Sequence, residues 1–381
     1  MSAPHSVPLP VPLPLPAVET LPAGLVSLDD HEAFAHTRLD DQAWAYFSGG
    51  AADEGTLRAN RSAWDNLRLL PRVLRPLAGG HTRIELLGRT LAHPLLVAPV
   101  AYQRMAHRDG EIATAHAAAS QGAGMVLSTQ ASVSLETVAR AFGAYAERGP
   151  LWFQLYLQHD RGFTRELIQR AESAGYEALV LTVDAPTSGA RDRERRAGFK
   201  LPAGISAVNL AQLTPPPAHP GASLFDSLPG HPPTWADVQW LQETTRLPVL
   251  LKGVLHPQDA RQAAALQVAA LIVSNHGGRT LDTTPATAAV LPRIAQAVAG
   301  DLPLLVDGGI RRGTDVLKAI ALGARAVLVG RPCVYGLANA GALGVAHVLR
   351  LLRDELEIAM ALCGCATLDQ ASPELFFDPM S

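Results

Sequence analysis

Residues 301–332, DLPLLVDGGIRRGTDVLKAIALGARAVLVGRP, carry the pattern that decides the fold. An apolar run at 304–309 ends in Asp307-Gly308-Gly309. Helical apolar spacing follows at 314–322, and a second apolar run comes at 327–331. Such runs are continuous rather than alternating, which suits strands buried on both faces. Two strands joined through a helix in so short a stretch are parallel.

Working outward, six further runs of the same kind occur at 95–99, 125–129, 152–156, 178–184, 249–254 and 271–276. Helical spacing fills most of the gaps between them, as at 110–121, 165–174 and 257–266. Eight β–α repeats predict an α/β protein of the closed (β/α)8 TIM-barrel class rather than an open doubly wound sheet. Residues before about 91 are expected to form a helical cover, and 341–363 a closing helix.

The chain's 381 residues fit one domain of this size. It is 48% hydrophobic, enough for a large core and too much for a disordered chain. A net charge of −3 argues against a nucleic-acid binder. No uninterrupted apolar run of about 18 residues occurs, so no membrane-spanning helix is expected. Cys333, Cys363 and Cys365 are too few and too poorly spaced for a disulfide framework, and they read as small apolar residues of a reducing, cytoplasmic setting. Prolines crowd two stretches. Residues 1–24 read as an extended proline-rich arm that lacks the basic start of a signal peptide, leaving 25–381 as the barrel domain. Residues 203–233, after the fourth run, are too long for an ordinary barrel loop and read as a mobile lid.

In such barrels chemistry sits at the C-terminal strand ends. There the sequence places Asp184 after the fourth run, Lys252 in the fifth, His276 with Arg279 at the sixth, Asp307-Gly308-Gly309 with Arg311 at the seventh, and Gly330-Arg331 at the eighth. Glycines with arginines after the last two strands point to a phosphate site. His276 with Asp184 has the makings of a base and its orienting carboxylate, and Arg191 with Arg279 those of a carboxylate clamp. Lysine occurs only at Lys200, Lys252 and Lys318. From the residues alone, Lys252 could form a Schiff base, pair with a carboxylate, or balance charge on a cofactor ring.

Together the motifs Ser274-Asn275-His276-Gly277-Gly278-Arg279, Asp307-Gly308-Gly309-Ile310-Arg311-Arg312-Gly313-Thr314-Asp315, Gly330-Arg331-Pro332, Ala98-Pro99-Val100-Ala101 and Thr182-Val183-Asp184-Ala185-Pro186 make the chain resemble the FMN-dependent L-2-hydroxy acid oxidases and dehydrogenases. The resemblance spans about 28–368. It implies that His276 is the catalytic base, with Asp184 its partner, and that Arg191 and Arg279, helped by Tyr46, hold the substrate carboxylate. Tyr156 would contact the substrate hydroxyl. FMN would be held by Ala98, Pro99, Val100, Ala101, Ser128, Gln154, Thr182, Lys252 and Ser274, with its phosphate at Asp307, Gly308, Gly309, Arg311, Gly330 and Arg331. Lys252 thereby goes to the N1/O2 edge of the flavin.

Two departures bear on the substrate. Glycolate oxidases have a tryptophan where this chain has Gln130, and paired arginines where it has Ala190-Arg191. A pocket without the aromatic wall favours L-lactate over glycolate, with Tyr102 narrowing it instead. The expected activity is oxidation of an L-2-hydroxy acid to the 2-oxo acid, with oxygen reduced to hydrogen peroxide. Glycolate oxidation, or an L-lactate dehydrogenase that uses a quinone or protein acceptor, are the alternatives. The resemblance also implies a homotetramer.

Overall fold

The structure is a computed structural model that describes residues 19–214, 223–225 and 232–377. Residues 1–18 of the proline-rich arm, and 215–222 and 226–231 of the stretch expected to form a lid, lie outside the described residues.

Three helices lead the fold: α1 (Leu28–Arg38), α2 (Asp41–Ser48) and α3 (Gly55–Asn66). Sequence sets their starts. The Ser27 hydroxyl accepts from Asp30 N–H and the Asp40 carboxylate from Ala43 N–H, relieving donors that the first turn leaves unpaired. A hairpin follows, β1 (Ile84–Leu86) and β2 (Arg89–Leu91), which was not anticipated. Its strands are only three residues long, and its two-residue turn, Leu87-Gly88, has both φ positive.

The barrel strands are β3 (Leu95–Val97), β4 (Gly124–Leu127), β5 (Leu151–Leu155), β6 (Ala178–Thr182), β7 (Val249–Val254), β8 (Ala270–Val273), β9 (Leu304–Val306) and β10 (Ala326–Val329). All pair in parallel, and β10 closes on β3 with Val327 opposite Leu95. The remaining helices are α4 (Gly110–Ser120), α5 (Leu135–Gly143), α6 (Arg161–Ser173), α7 (Asp192–Arg196), α8 (Trp235–Thr244), α9 (Pro257–Ala265), α10 (Thr287–Val298), α11 (Gly313–Ala321) and α12 (Arg331–Cys363).

Eight parallel strands in chain order confirm the expected barrel. Several strands stop earlier than expected. β3 ends before Pro99, which has no N–H for a ladder, and β8 ends before His276, whose φ of 56° leaves the extended region. The closing helix begins ten residues before its expected start, at Arg331, and breaks at Ala340-Gly341; the expected span is its second half. By length and composition α12 could cross a bilayer, but 72% of its most apolar stretch is buried in the protein.

Side chains alternate across the barrel wall. Leu96, Val126, Trp152, Val180, Leu250, Ile272, Leu305 and Leu328, one from each strand, meet inside, and Leu86 and Leu91 of the hairpin join the same cluster. Their neighbours, such as Val97, Leu127, Phe153, Leu181 and Val306, pack outward against the helices. Cutting Trp152 to alanine would cost about 3–5 kcal/mol in so closed a core.

Candidate active site

Two residues beyond that apolar layer comes each strand's next inward position. These are Ala98, Ser128, Gln154, Thr182, Lys252, Ser274, Asp307 and Gly330, so a mostly polar ring lies on an apolar plug. Its members are tied to one another. Lys252 Nζ is 2.9 Å from Asp307 Oδ2 and 2.9 Å from Ser274 Oγ. Gln154 donates through Nε2 to Thr182 Oγ1 (3.0 Å) and accepts from Thr129 N–H (3.1 Å). Burial alone would lower the Lys252 pKa, but Asp307 and Asp184 outweigh it and hold the ammonium above its ordinary value.

Above the ring opens a cavity of about 600 Å³. Every residue singled out by sequence lines it except Asp184 and Ser274. Those two stand behind the wall: Ser274 Oγ also accepts from His276 N–H (3.0 Å), and Asp184 Oδ1 lies 2.8 Å from His276 Nδ1. Leu210, Pro232 and Pro233, all within the expected lid, border the same cavity.

His276 is held in an uncommon left-handed conformation. The turn is fixed by Asn275, whose Oδ1 accepts from Gly278 N–H, while Asn275 and Asn60 exchange two amide bonds of 2.8 Å. Asp184 reaches the imidazole because residue 253 is glycine; a Cβ there would sit 2.4 Å from Asp184 Cγ. Burial pushes the Asp184 carboxyl up, yet His276 and then Lys252 pull harder and leave it below its ordinary value. Its Oδ2 is buried without a partner. With Nδ1 engaged by Asp184, Nε2 is the ring nitrogen left for other work.

Arg191 precedes α7 and Arg279 follows the His276 turn. The structure joins them through a residue the sequence reading missed. Glu194 Oε1 lies 3.1 Å from Arg191 Nη1 and 3.3 Å from Arg279 Nη2. The i,i+3 spacing from Arg191 was the signal available. Burial, and then the neighbouring Arg279, lower the Arg191 pKa to about 10. Arg279 also donates to the carbonyls of Tyr46 and Gly49, and its guanidinium lies 4.9 Å over the Tyr46 ring. Tyr46 stacks on Phe199 at 4.9 Å, with Tyr102 edge-on at 6.0 Å. Burial raises the pKa of the Tyr46 and Tyr156 hydroxyls, which stay protonated donors. Gln130 takes part in the wall through its backbone, accepting from Tyr102 N–H (3.2 Å) and donating to Ser128 Oγ (3.1 Å).

At the far end Gly308 and Gly309 have φ of 95° and 80°, and a Cβ on Gly309 would come within 2.1 Å of Asn60 O. The N-terminus of α12 faces the same end with Gly330 and Arg331. Arg331 donates to the carbonyls of Phe47 (3.0 Å), Gly277 (3.0 Å) and Gly49 (2.8 Å), so it also fastens α2 and the His276 turn. Arg311 pairs with Glu32 at 3.3 Å. Asp307 Oδ1 is buried without a partner. An acceptor awaiting a hydroxyl, a lysine within a ring of amide and hydroxyl groups, and a glycine-rich, arginine-flanked helix start fit a flavin mononucleotide.

The family described as FMN-dependent dehydrogenase matches residues 35–378. An L-lactate oxidase of Alicycliphilus denitrificans is 49% identical over 354 residues, 92% of this chain and 96% of its own. Glycolate oxidase 1 of Zea mays is 44% identical over 351 residues, 90% of this chain and 93% of its own. Among solved structures, a mandelate oxidase with (S)-2-phenylpropionate is similar at a TM-score of 0.83 and 43% identity, covering 92% of this chain and 98% of that one.

Proposed function

Because the chain belongs to the FMN-dependent dehydrogenase family, we propose that it is an L-2-hydroxy acid oxidase whose favoured substrate is L-lactate and whose electron acceptor is oxygen. The observation that carries this reading is the meeting, in one cavity, of His276 backed by Asp184 with the Arg191–Arg279 pair above the polar ring.

FMN, when bound, supplies the two-electron acceptor for the alcohol carbon. Ala98, Pro99, Val100, Ala101, Ser128, Gln154, Thr182, Lys252 and Ser274 would hold its ring end. Asp307, Gly308, Gly309, Arg311, Gly330 and Arg331 would hold the ribityl phosphate. The chain's own groups do the rest. Arg191 and Arg279 bind the carboxylate, with Tyr46 packed against Arg279 to fix its plane. Tyr156 donates a hydrogen bond to the substrate hydroxyl. His276 Nε2 takes one of the two protons that the alcohol loses on becoming a 2-oxo acid, and Asp184 steadies the imidazolium. The two electrons and two protons removed reduce oxygen to hydrogen peroxide.

Preference for L-lactate is supported by Gln130, which puts no aromatic wall in the cavity, and by L-lactate oxidases at 47–49% identity. Buried, unpaired cysteines suit a reducing cytoplasm. A homo-oligomer, with four subunits our reading, is supported by exposed apolar side chains at Val73, Leu74, Ile358 and Leu362 around the end of α12. The test is purified protein with its flavin spectrum. L-Lactate without oxygen should bleach the flavin, and air should restore it with one peroxide per lactate. An unbleached flavin, or restoration only by a quinone, would overturn the oxidase reading.

A further inference from the structure

Two arginines suffice to hold a carboxylate, so a third charged group wedged between them calls for its own explanation. Glu194 lines the cavity, and its side chain is 16% exposed, like those of the arginines it joins. One oxygen serves both guanidinium groups. Arg191 Nε is buried with no partner within the protein. The trio of Arg191, Arg279 and Glu194 therefore sums to one positive charge.

We propose that Glu194 is a specificity-determining residue, an internal carboxylate that sets the charge of the binding site to match substrates bearing one carboxylate and to disfavour those bearing two. The inference rests on the hydroxy acid reading above. Without Glu194 the two guanidinium groups would present two uncompensated charges in a half-buried place and attract any dicarboxylate. With it, the first carboxylate of a ligand neutralises the site. A second carboxylate then meets Glu194 across a cavity from which water is partly excluded. Two like charges about 7 Å apart change a binding ratio roughly three- to fifty-fold at an effective dielectric between 80 and 20. A role confined to bracing the arginines predicts something else: loss of rate for every substrate alike.

The holoenzyme and two variants separate these readings. Glu194→Gln keeps an acceptor oxygen between the arginines and removes the charge; Glu194→Asp keeps the charge and alters the reach. Turnover is read as the kcat/KM ratio of L-malate to L-lactate. Binding is read by calorimetry as the affinity ratio of malonate to propionate, two unreactive acids with equal carbon counts. Both ratios should rise roughly tenfold in Glu194→Gln and stay within about twofold of wild type in Glu194→Asp. The wild type should bind propionate at least as tightly as malonate, a result that needs no variant to fold. Unchanged ratios in Glu194→Gln, an equal rise in Glu194→Asp, or a wild-type preference for malonate would each overturn the proposal. Binding ratios need no turnover, so wild type that ignores L-lactate would defeat the functional reading without touching this test.

Discussion

Replacing Asp184 with asparagine tests how much of the chemistry rests on one buried carboxylate. Asp184 Oδ1 stands 2.8 Å from His276 Nδ1, placing the charges about 4 Å apart once the proton has moved to Nε2. At that separation the attraction is about 1 kcal/mol at the dielectric of water and about 4 kcal/mol at an effective value of 20. Asparagine loses this term and adds a choice of two poor orientations. With its oxygen toward His276, its amide nitrogen takes the place of Oδ2, which is buried without a partner, and an unmet donor costs about 1–3 kcal/mol. Turned the other way, the amide donates to Nδ1 and forces the imidazole proton onto Nε2, where it blocks the base. Either way the step that needs the base should slow by about 10²- to 10³-fold, within the range known for general-base loss. The assay is anaerobic stopped-flow bleaching of the flavin by saturating L-lactate, after FMN content is checked by absorbance. A bleaching rate within threefold of wild type at full FMN loading would refute the role given to Asp184.

Arg279→Lys should raise KM for L-lactate at least tenfold and leave FMN content unchanged, because a point charge cannot reproduce the fork that now serves Glu194 and two carbonyls; unchanged KM would remove Arg279 from the carboxylate site. Arg331→Ala should release FMN on gel filtration and also lower the melting temperature, since its guanidinium ties together Phe47, Gly49 and Gly277; each charge-assisted bond lost costs about 1.5–3 kcal/mol. Gln130→Trp should move the kcat/KM preference from L-lactate toward glycolate by a few-fold, the worth of one buried methyl at about 0.8 kcal/mol. Stability should also depend on acid. Asp184 is depressed below its ordinary 3.8, so its contribution is complete above that value and is lost as pH falls through the folded-state pKa. Wild type should therefore lose more stability than Asp184→Asn between pH 4 and lower values in chemical-denaturation titrations.

The barrel was legible because strands buried on both faces leave unbroken apolar runs, and eight of them survive in the chain. The mouth of the barrel was legible too, since polar residues gather where the apolar runs end, as at Lys252 and Asp307. Other features were not. The β1–β2 hairpin leaves three-residue strands, too short for a period to show. Strand ends were read too far along, because the polar residues that leave the sheet still belong to apolar sequence, as at Asp184 after Thr182. Glu194 was hidden among the charges of Asp192–Arg196, which reads as an exposed helix face; only folding brings Arg279 from 85 residues away to its other side. The second duty of Arg331 was equally invisible, because its three acceptors are backbone carbonyls, which sequence does not distinguish.

The Lys252–Asp307 pair shows why this site must be read as function rather than as stability. Lys252 is 4% exposed, and desolvating its charge opposes folding. Buried pairs of this kind can often be replaced by apolar residues of similar volume at no loss, and the barrel already has such a layer two residues below, at Leu250 and Leu305. One more turn of Leu and Ile would continue that packing. The strands instead switch to Lys, Asp, Gln, Thr and Ser at one level of the barrel, and there acceptor capacity is left over: Asp307 Oδ1 is buried with no partner within the protein. Donors and acceptors are thus fixed in orientation by their bonds to one another and by the tightly packed wall that carries them. The apolar plug supplies the stability that this polar ring draws on, and the cavity above it inherits a rigid floor.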